Sequence, residues 1–255
     1  MAPTGYCSVN DVRLALRSKG LPGDVDQDRE IAISAIAGQT EWLEKNTKRH
    51  WYIPGGVGDD PDGLLPTAPQ TRDDEEDIPT AAAFVVGDSG PKPRTAQGDY
   101  AKVDLARRDA ESIEALHVRT ADGTYEDWVA SSDYTEGSWP PTGEDYYLRV
   151  NNGGVSRVYL DTTNFLKEDE DDEYVLDSFA NVVYISWTYG YKAPSGDDPK
   201  LQNIRRGVAL RAGATLAEEA VIEIPQNATL YNVETKAEEM RERAAELLDP
   251  YMVGE

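Results

Sequence analysis

Apolar positions recur at a helical period near both ends of the chain and at a strand period in between. "CSVNDVRLALRSKGLPG" (7–23) offers Ser8 as a helix N-cap with Asp11 at the third helical position, close to a capping box. Val12, Leu14 and Leu16 supply apolar surface, and Gly20 and Pro22 are expected to stop this short helix. "REIAISAIAGQTEWLEKNTKRHWYIP" (29–54) repeats apolar or small residues at Ala32, Ala35, Ile36, Gln39, Trp42 and Leu43, a second helix. Lys45, Lys48 and Arg49 fall in its last turn, where the helix dipole favours cations. Trp51, Tyr52, Ile53 and Pro54 must then leave the helix. Near the other end, Pro199 opens a helix striped by Leu201, Ile204, Val208, Ala212 and Leu216. A last helix carries a heptad-like seam of Val233, Ala237, Met240, Ala244, Leu247 and Tyr251, ended by Pro250.

Residues 55–80 are dominated by Gly, Pro and Asp and read as a long loop. From Ala81 to Tyr191 the pattern becomes short strands: "AAFVVGD", "SIEALHVRT", "EDWVASSDYT", "DYYLRVN", "VSRVYLD" and "NVVYISWTYGY". Turn sequences such as "ADGT" and "NNGG" lie between them. "LKEDEDDEYVLD" (166–177) is a charged excursion, read as a hairpin tip or exposed loop. The expected class is α+β. N-terminal helices (1–54) pack with C-terminal helices (196–255), and an antiparallel β-rich region with its leading loop (55–195) is inserted between them.

Charge sharpens this picture. Among 255 residues, 48 acids face 25 Lys and Arg, a net charge of −23, and only nine of the bases are lysine. Two readings fit: an acidic protein with acidic loops, or a protein suited to molar salt. At about 1 M salt the Debye length is about 3 Å, so self-repulsion is screened and a carboxylate coat keeps the chain hydrated. The acids are spread along the chain, which favours the second reading. Either way, general binding to nucleic-acid phosphates is excluded.

Cys7 is the single cysteine, so no internal disulfide is expected. No apolar run approaches roughly 18 residues, so no membrane span is expected. "MAPTGYCSVND" lacks a basic stretch followed by an apolar one, so no secretion signal is expected.

Chemistry-bearing motifs are scarce. The two histidines, His50 and His117, sit at a helix end and in a strand pattern, where structural roles are the default. "GDDPDG" (58–63) and "EDEDDE" (168–173) lack the alternate acids, central glycine and final glutamate of a calcium loop. "NNGGVSR" (151–157) is a turn and not a phosphate cradle. No catalytic residue, metal site or cofactor is therefore expected. Arg205, Arg206 and Arg211 form a local basic cluster, expected to meet an acidic patch on a partner subunit.

Three segments together carry a resemblance. They are the 29–54 helix ending in a small basic motif before an aromatic strand, the strand–turn–strand element closing on Asp133-Tyr134, and "VVYISWTYGYKAPSGDDPKLQNIRRGVALRAGATL" (182–216). In order and spacing they resemble the head–tail connector (adaptor) proteins of tailed viruses, which form rings below the portal. Residues 55–110 and the acidic stretch near 170 look like insertions. The acidic composition would suit a virus of halophilic archaea.

The resemblance implies a non-enzymatic virion protein of the head–tail neck, present in the host cytoplasm during assembly. It implies a homo-oligomeric ring, commonly of about twelve copies. The implied partners are the portal and the next neck or tail-completion protein, with genomic DNA passing through the channel and no membrane. The basic cluster would lie at the subunit interface, and the seam from Val233 to Tyr251 would dock on the portal. An extracellular or cell-surface β-rich binding module, such as a carbohydrate-binding one, is the alternative from another class.

Overall fold

The computed structural model describes residues 4–16, 26–72, 100–119, 124–161, 167–168, 174–175, 183–218 and 230–253. The expected stop at Gly20 and Pro22, the strand "AAFVVGD" and the first three residues of the turn "ADGT" lie outside them. The chain is α+β and divides into two compact units: Met1–Pro69 with Tyr191–Glu255, and Gln70–Gly190.

The first unit is helical. It holds α1 (Val9–Leu16), α2 (Asp26–Thr47), α3 (Pro199–Glu218) and α4 (Leu230–Leu248), with a 3-10 turn over Asp249–Tyr251. The capping box at the start of α1 is formed reciprocally. The Ser8 N–H donates to Asp11 Oδ2 at 2.8 Å, and the Asp11 N–H donates to Ser8 Oγ at 3.2 Å. Helix α2 ends at Thr47, and Lys48 takes a left-handed φ of 59°. Only Lys45 of the three expected cations lies in the last turn; Lys48 and Arg49 lie beyond it.

Helix α3 is buried almost all round. The expected stripe of Leu201, Ile204, Val208, Ala212 and Leu216 is fully packed, and so are Gly207, Ala209, Gly213, Ala214 and Ala217 on the other faces. Small residues there let α1, α2 and α4 close on it from different sides, so a one-sided stripe understates its burial. Each fully buried Leu, Ile or Val contributes about 1.5–3 kcal/mol.

Two short strands close the unit. β1 (Trp51–Tyr52) pairs in parallel with β12 (Tyr191–Lys192). The Tyr191 N–H donates to the His50 carbonyl at 2.7 Å and the Ala193 N–H to that of Tyr52 at 2.9 Å. Trp51 is buried edge-on to Tyr6, with ring centroids 5.5 Å apart.

Among its described residues the second unit has two four-stranded sheets. One runs β2 (Gln70–Arg72), β11 (Val183–Tyr189), β4 (Ala110–Arg119), β5 (Tyr125–Asp127). The other runs β3 (Tyr100–Asp104), β8 (Ser156–Asp161), β7 (Tyr146–Val150), β6 (Glu136–Gly137). Burial alternates strictly along β8 and β11, as period-2 strands require. Val103, Leu116, Val158, Leu160, Ile185 and Trp187 form the centre of one core. Pairing is antiparallel except between β6 and β7, which are parallel.

"EDWVASSDYT" is a shorter strand than its pattern implies. The chain turns at Trp128, which is buried with Tyr134 stacked on it at 4.5 Å. The acidic excursion contains a pair of antiparallel strands, β9 (Lys167–Glu168) and β10 (Tyr174–Val175).

Candidate functional site

The helical unit carries its charge chemistry at the start of α1. Arg205, on α3, is 5% exposed. Its Nη2 donates to Asp11 Oδ2 and to Asp59 Oδ2, both at 3.0 Å, and its Nη1 donates to Asp59 Oδ1 at 3.4 Å. Asp11 therefore serves both the capping box and the arginine. The fork on Asp59 is bidentate, the geometry that suits a planar guanidinium. The hydrogen bond from Arg205 holds the Asp59 carboxyl below its ordinary range, with burial opposing. Burial works against the Arg205 charge, and its bonds to Asp59 and Asp11 outweigh that, raising it above the ordinary value.

The acids of "GDDPDG" act as clamps in this unit. Asp59 holds Arg205, Asp60 Oδ2 accepts the Leu65 N–H at 2.8 Å, and Asp62 pairs with Arg29. Asp62 Oδ2 also accepts the Val9 N–H at 3.4 Å. Among the described residues, no group of three or more His, Cys, Asp or Glu could hold a metal ion.

Beside Arg205 opens a cleft of about 360 Å³ lined by Asp11, Leu14, Ala15, Asp59, Gln202, Arg205, Arg206, Ala209, Leu210 and Arg243. Arg206 and Arg243 are exposed, and Leu14 is 68% exposed. The structure thus brings Arg205 and Arg206 together with Arg243 of α4. Arg211 lies elsewhere on α3. Its guanidinium stands 3.5 Å over the Trp42 ring, and its Nε donates to Gln39 Oε1 at 2.8 Å. Burial, with the nearby Arg241 charge, lowers its pKa.

The α4 seam is occupied within its own unit. Ala237, Met240 and Ala244 are buried in the helical core, and Leu247 and Tyr251 pack against it partly buried. The Val233 side chain lies outside the described residues. The buried line runs 237, 240, 244, 248, so Leu248 rather than Leu247 takes the deepest position. A straight helix repeats every 3.6 residues, so a 3.5-residue stripe drifts by about 20° per heptad and the line of deepest burial passes from Leu247 to Leu248.

His50 is 1% exposed, with Nδ1 2.7 Å from Glu44 Oε1 and Nε2 3.1 Å from the Ala68 carbonyl oxygen. The Tyr6 hydroxyl donates to the same Glu44 oxygen and accepts the Trp51 N–H at 3.1 Å. This buried network fixes the end of α2 against β1. His117 is exposed on β4. In the β unit, Trp139 is 41% exposed, and the Arg149 guanidinium lies 3.9 Å over its ring. One face of the most exposed tryptophan is therefore already covered. Among the described residues no helix is long and apolar enough to cross a membrane.

No protein-family model matches the chain, and no curated protein matches it. Two solved structures are similar. One is described as "Neck of empty GTA particle computed with C6 symmetry", 14% identical over 94% of this chain and 92% of that one, with a TM-score of 0.42. The other is described as "Virion of native gene transfer agent (GTA) particle", 13% identical over 91% and 88%, with a TM-score of 0.36.

Arg243 had a faint signal in the sequence: one arginine after Glu242 on a helix whose other outward positions are mostly acidic. Asp59 had none, because it stands 146 residues from Arg205 inside a loop of Gly, Pro and Asp.

Proposed function

We propose that the chain is a structural, non-enzymatic virion protein of a tailed virus, located in the head–tail neck. It forms a ring between portal and tail, extends the DNA channel and offers a docking surface to the next neck protein. Its partners are further copies of itself, the portal and the next neck or tail-completion protein. DNA only passes through, and a wall with net negative charge lets it slide without sticking.

One observation supports this reading most. Two of the motifs that carry the family resemblance lie far apart in sequence and meet in the fold. Trp51–Tyr52, directly after the basic end of α2, pairs with Tyr191–Lys192, directly before the Pro-led loop and α3. Helices α1 to α4 thereby share one core while the β unit is inserted between Gln70 and Gly190.

Sedimentation of the purified chain, alone and with portal, tests the reading. A closed species of many copies is the expected result. A monomer at every salt concentration, with and without portal, would contradict it.

A further inference from the structure

Arg206 on α3 and Arg243 on α4 face one cleft. Both are exposed, and neither makes a hydrogen bond or ion pair among the described residues. The two carboxylates lining that cleft, Asp11 and Asp59, are both engaged by Arg205. The mouth therefore presents two unengaged guanidinium groups beside the apolar surface of Leu14 and Leu210. In a chain of net charge −23, such a cationic mouth is the exception.

The same helix α4 carries the complement on the adjoining face, which ends one turn on from Arg243 at Glu246. Glu238, Glu242 and Glu246 are exposed, and their spacing of four places them on one ridge. None has an ion pair within 4 Å among the described residues, and the Arg241 charge, already held by Glu218, also acts on Glu238. Like charges four apart on a helix repel one another, so this ridge gains from cations supplied from outside.

We propose that Arg206 and Arg243 of one copy receive the Glu238–Glu242–Glu246 ridge of the next copy. The inference rests on the ring-forming reading above and names the contact that builds the ring. In a ring this contact is head-to-tail, each copy giving its cleft to one neighbour and its ridge to the other until the rotation closes; a two-fold dimer joined by the same pairs would overturn it. A second copy fits better than another acidic partner because both unengaged halves of the contact are present on this one chain.

Charge reversal tests it. Arg206→Glu with Arg243→Glu alters the cleft; Glu238→Lys, Glu242→Lys and Glu246→Lys alter the ridge; a fifth-order combination alters both. All five positions are exposed, and Arg206→Gln with Arg243→Gln serves as a milder cleft variant. Sedimentation reads the concentration at which copies assemble, and circular dichroism checks the fold. Each single-patch variant is expected to raise that concentration more than about tenfold. The combined variant is expected to restore assembly.

Wild-type assembly that persists unchanged in the cleft variant would overturn the inference and leave the ring reading standing. Loss in both single-patch variants without rescue in the combination would overturn the pairing too. A cleft variant that assembles normally but retains less DNA would assign these arginines to nucleic acid, against the inference. A wild type that never assembles would overturn both.

Discussion

Gly207 on α3 lies so close under Leu248 on α4 that a Cβ there would stand 2.6 Å from Leu248 Cδ2 and 2.7 Å from its Cγ. Gly213, nearly two turns on, would meet the terminal methyl of Met240 at 2.6 Å. These two contacts fix how closely α4 approaches α3. The two obstacles differ in kind. Met240 can swing its thioether end aside, whereas the branched Leu248 cannot clear both atoms without moving its helix. Alanine gains about 1 kcal/mol over glycine inside a helix, and overpacking costs about 1–3 kcal/mol. Gly207→Ala is predicted to lose about 1 kcal/mol net and Gly213→Ala to be near neutral. Denaturant melts of the two variants check this; equal effects would place the constraint elsewhere.

Arg205 belongs to the fold before it belongs to any interface. Truncation to Ala removes the cation from Asp11 and Asp59, and Asp11 then loses the partner that ties α1 to α3. Asp59 is 64% exposed and regains water, so the loss is predicted at about 1–3 kcal/mol and not at the cost of a fully buried pair. In the unassembled chain, Arg206→Ala, at an exposed position, is predicted to leave the melting point unchanged. Thermal melts of the two single variants separate fold from assembly, which a double substitution would confound.

The β unit is predicted to fail in alkali. Burial first, then neighbouring charges or hydroxyls, pushes Tyr134, Tyr146 and Tyr147 up to about 12. Their folded values lie above the unfolded one, so they contribute stability in full below the ordinary tyrosine value of 10.0. That contribution is lost as pH rises through about 12. Tyrosinate absorbance followed with circular dichroism should show late ionisation coinciding with loss of sheet. Ionisation of these three near the ordinary value with the fold intact would contradict the burial seen here.

Salt should govern assembly. Copies carrying −23 each repel over a Debye length of about 30 Å at 0.01 M salt but only about 3 Å at 1 M. The ring is predicted to fall apart in dilute buffer, where long-range repulsion outweighs the Arg206 and Arg243 contact, and to form at high salt, where charges held at contact distance are screened less than the distant ones. Sedimentation across a salt series checks this; a ring indifferent to salt would show that the acidic coat is no adaptation to it.

The helical unit was legible wherever the signal was local. Ser8 and Asp11 are three residues apart, and their capping box forms as their types require. The stripe from Leu201 to Leu216 is buried as its period implies. What escaped was non-local. Arg205 looked like a surface base because its partners lie 194 and 146 residues away. Arg211 looked the same, yet its stem and fork lie against Trp42 and Gln39 of α2. The α4 seam was read at a coiled-coil period, whereas an ordinary helix against α3 follows its own pitch and buries Leu248. In the β unit, "EDWVASSDYT" holds the strand formers Trp, Val, Tyr and Thr, but its Ala-Ser-Ser-Asp middle is of turn type, and the chain turns at the buried Trp128 directly after β5.

A cryo-EM reconstruction of the neck of the particle that carries this chain tests the ring directly. Copies of this fold closed into a ring around the DNA channel between portal and tail are the expected result. Adjacent copies should meet through Arg206 and Arg243 on one side and the Glu238–Glu246 face of α4 on the other. A neck without this chain, or the chain found as isolated copies elsewhere in the particle, would contradict it.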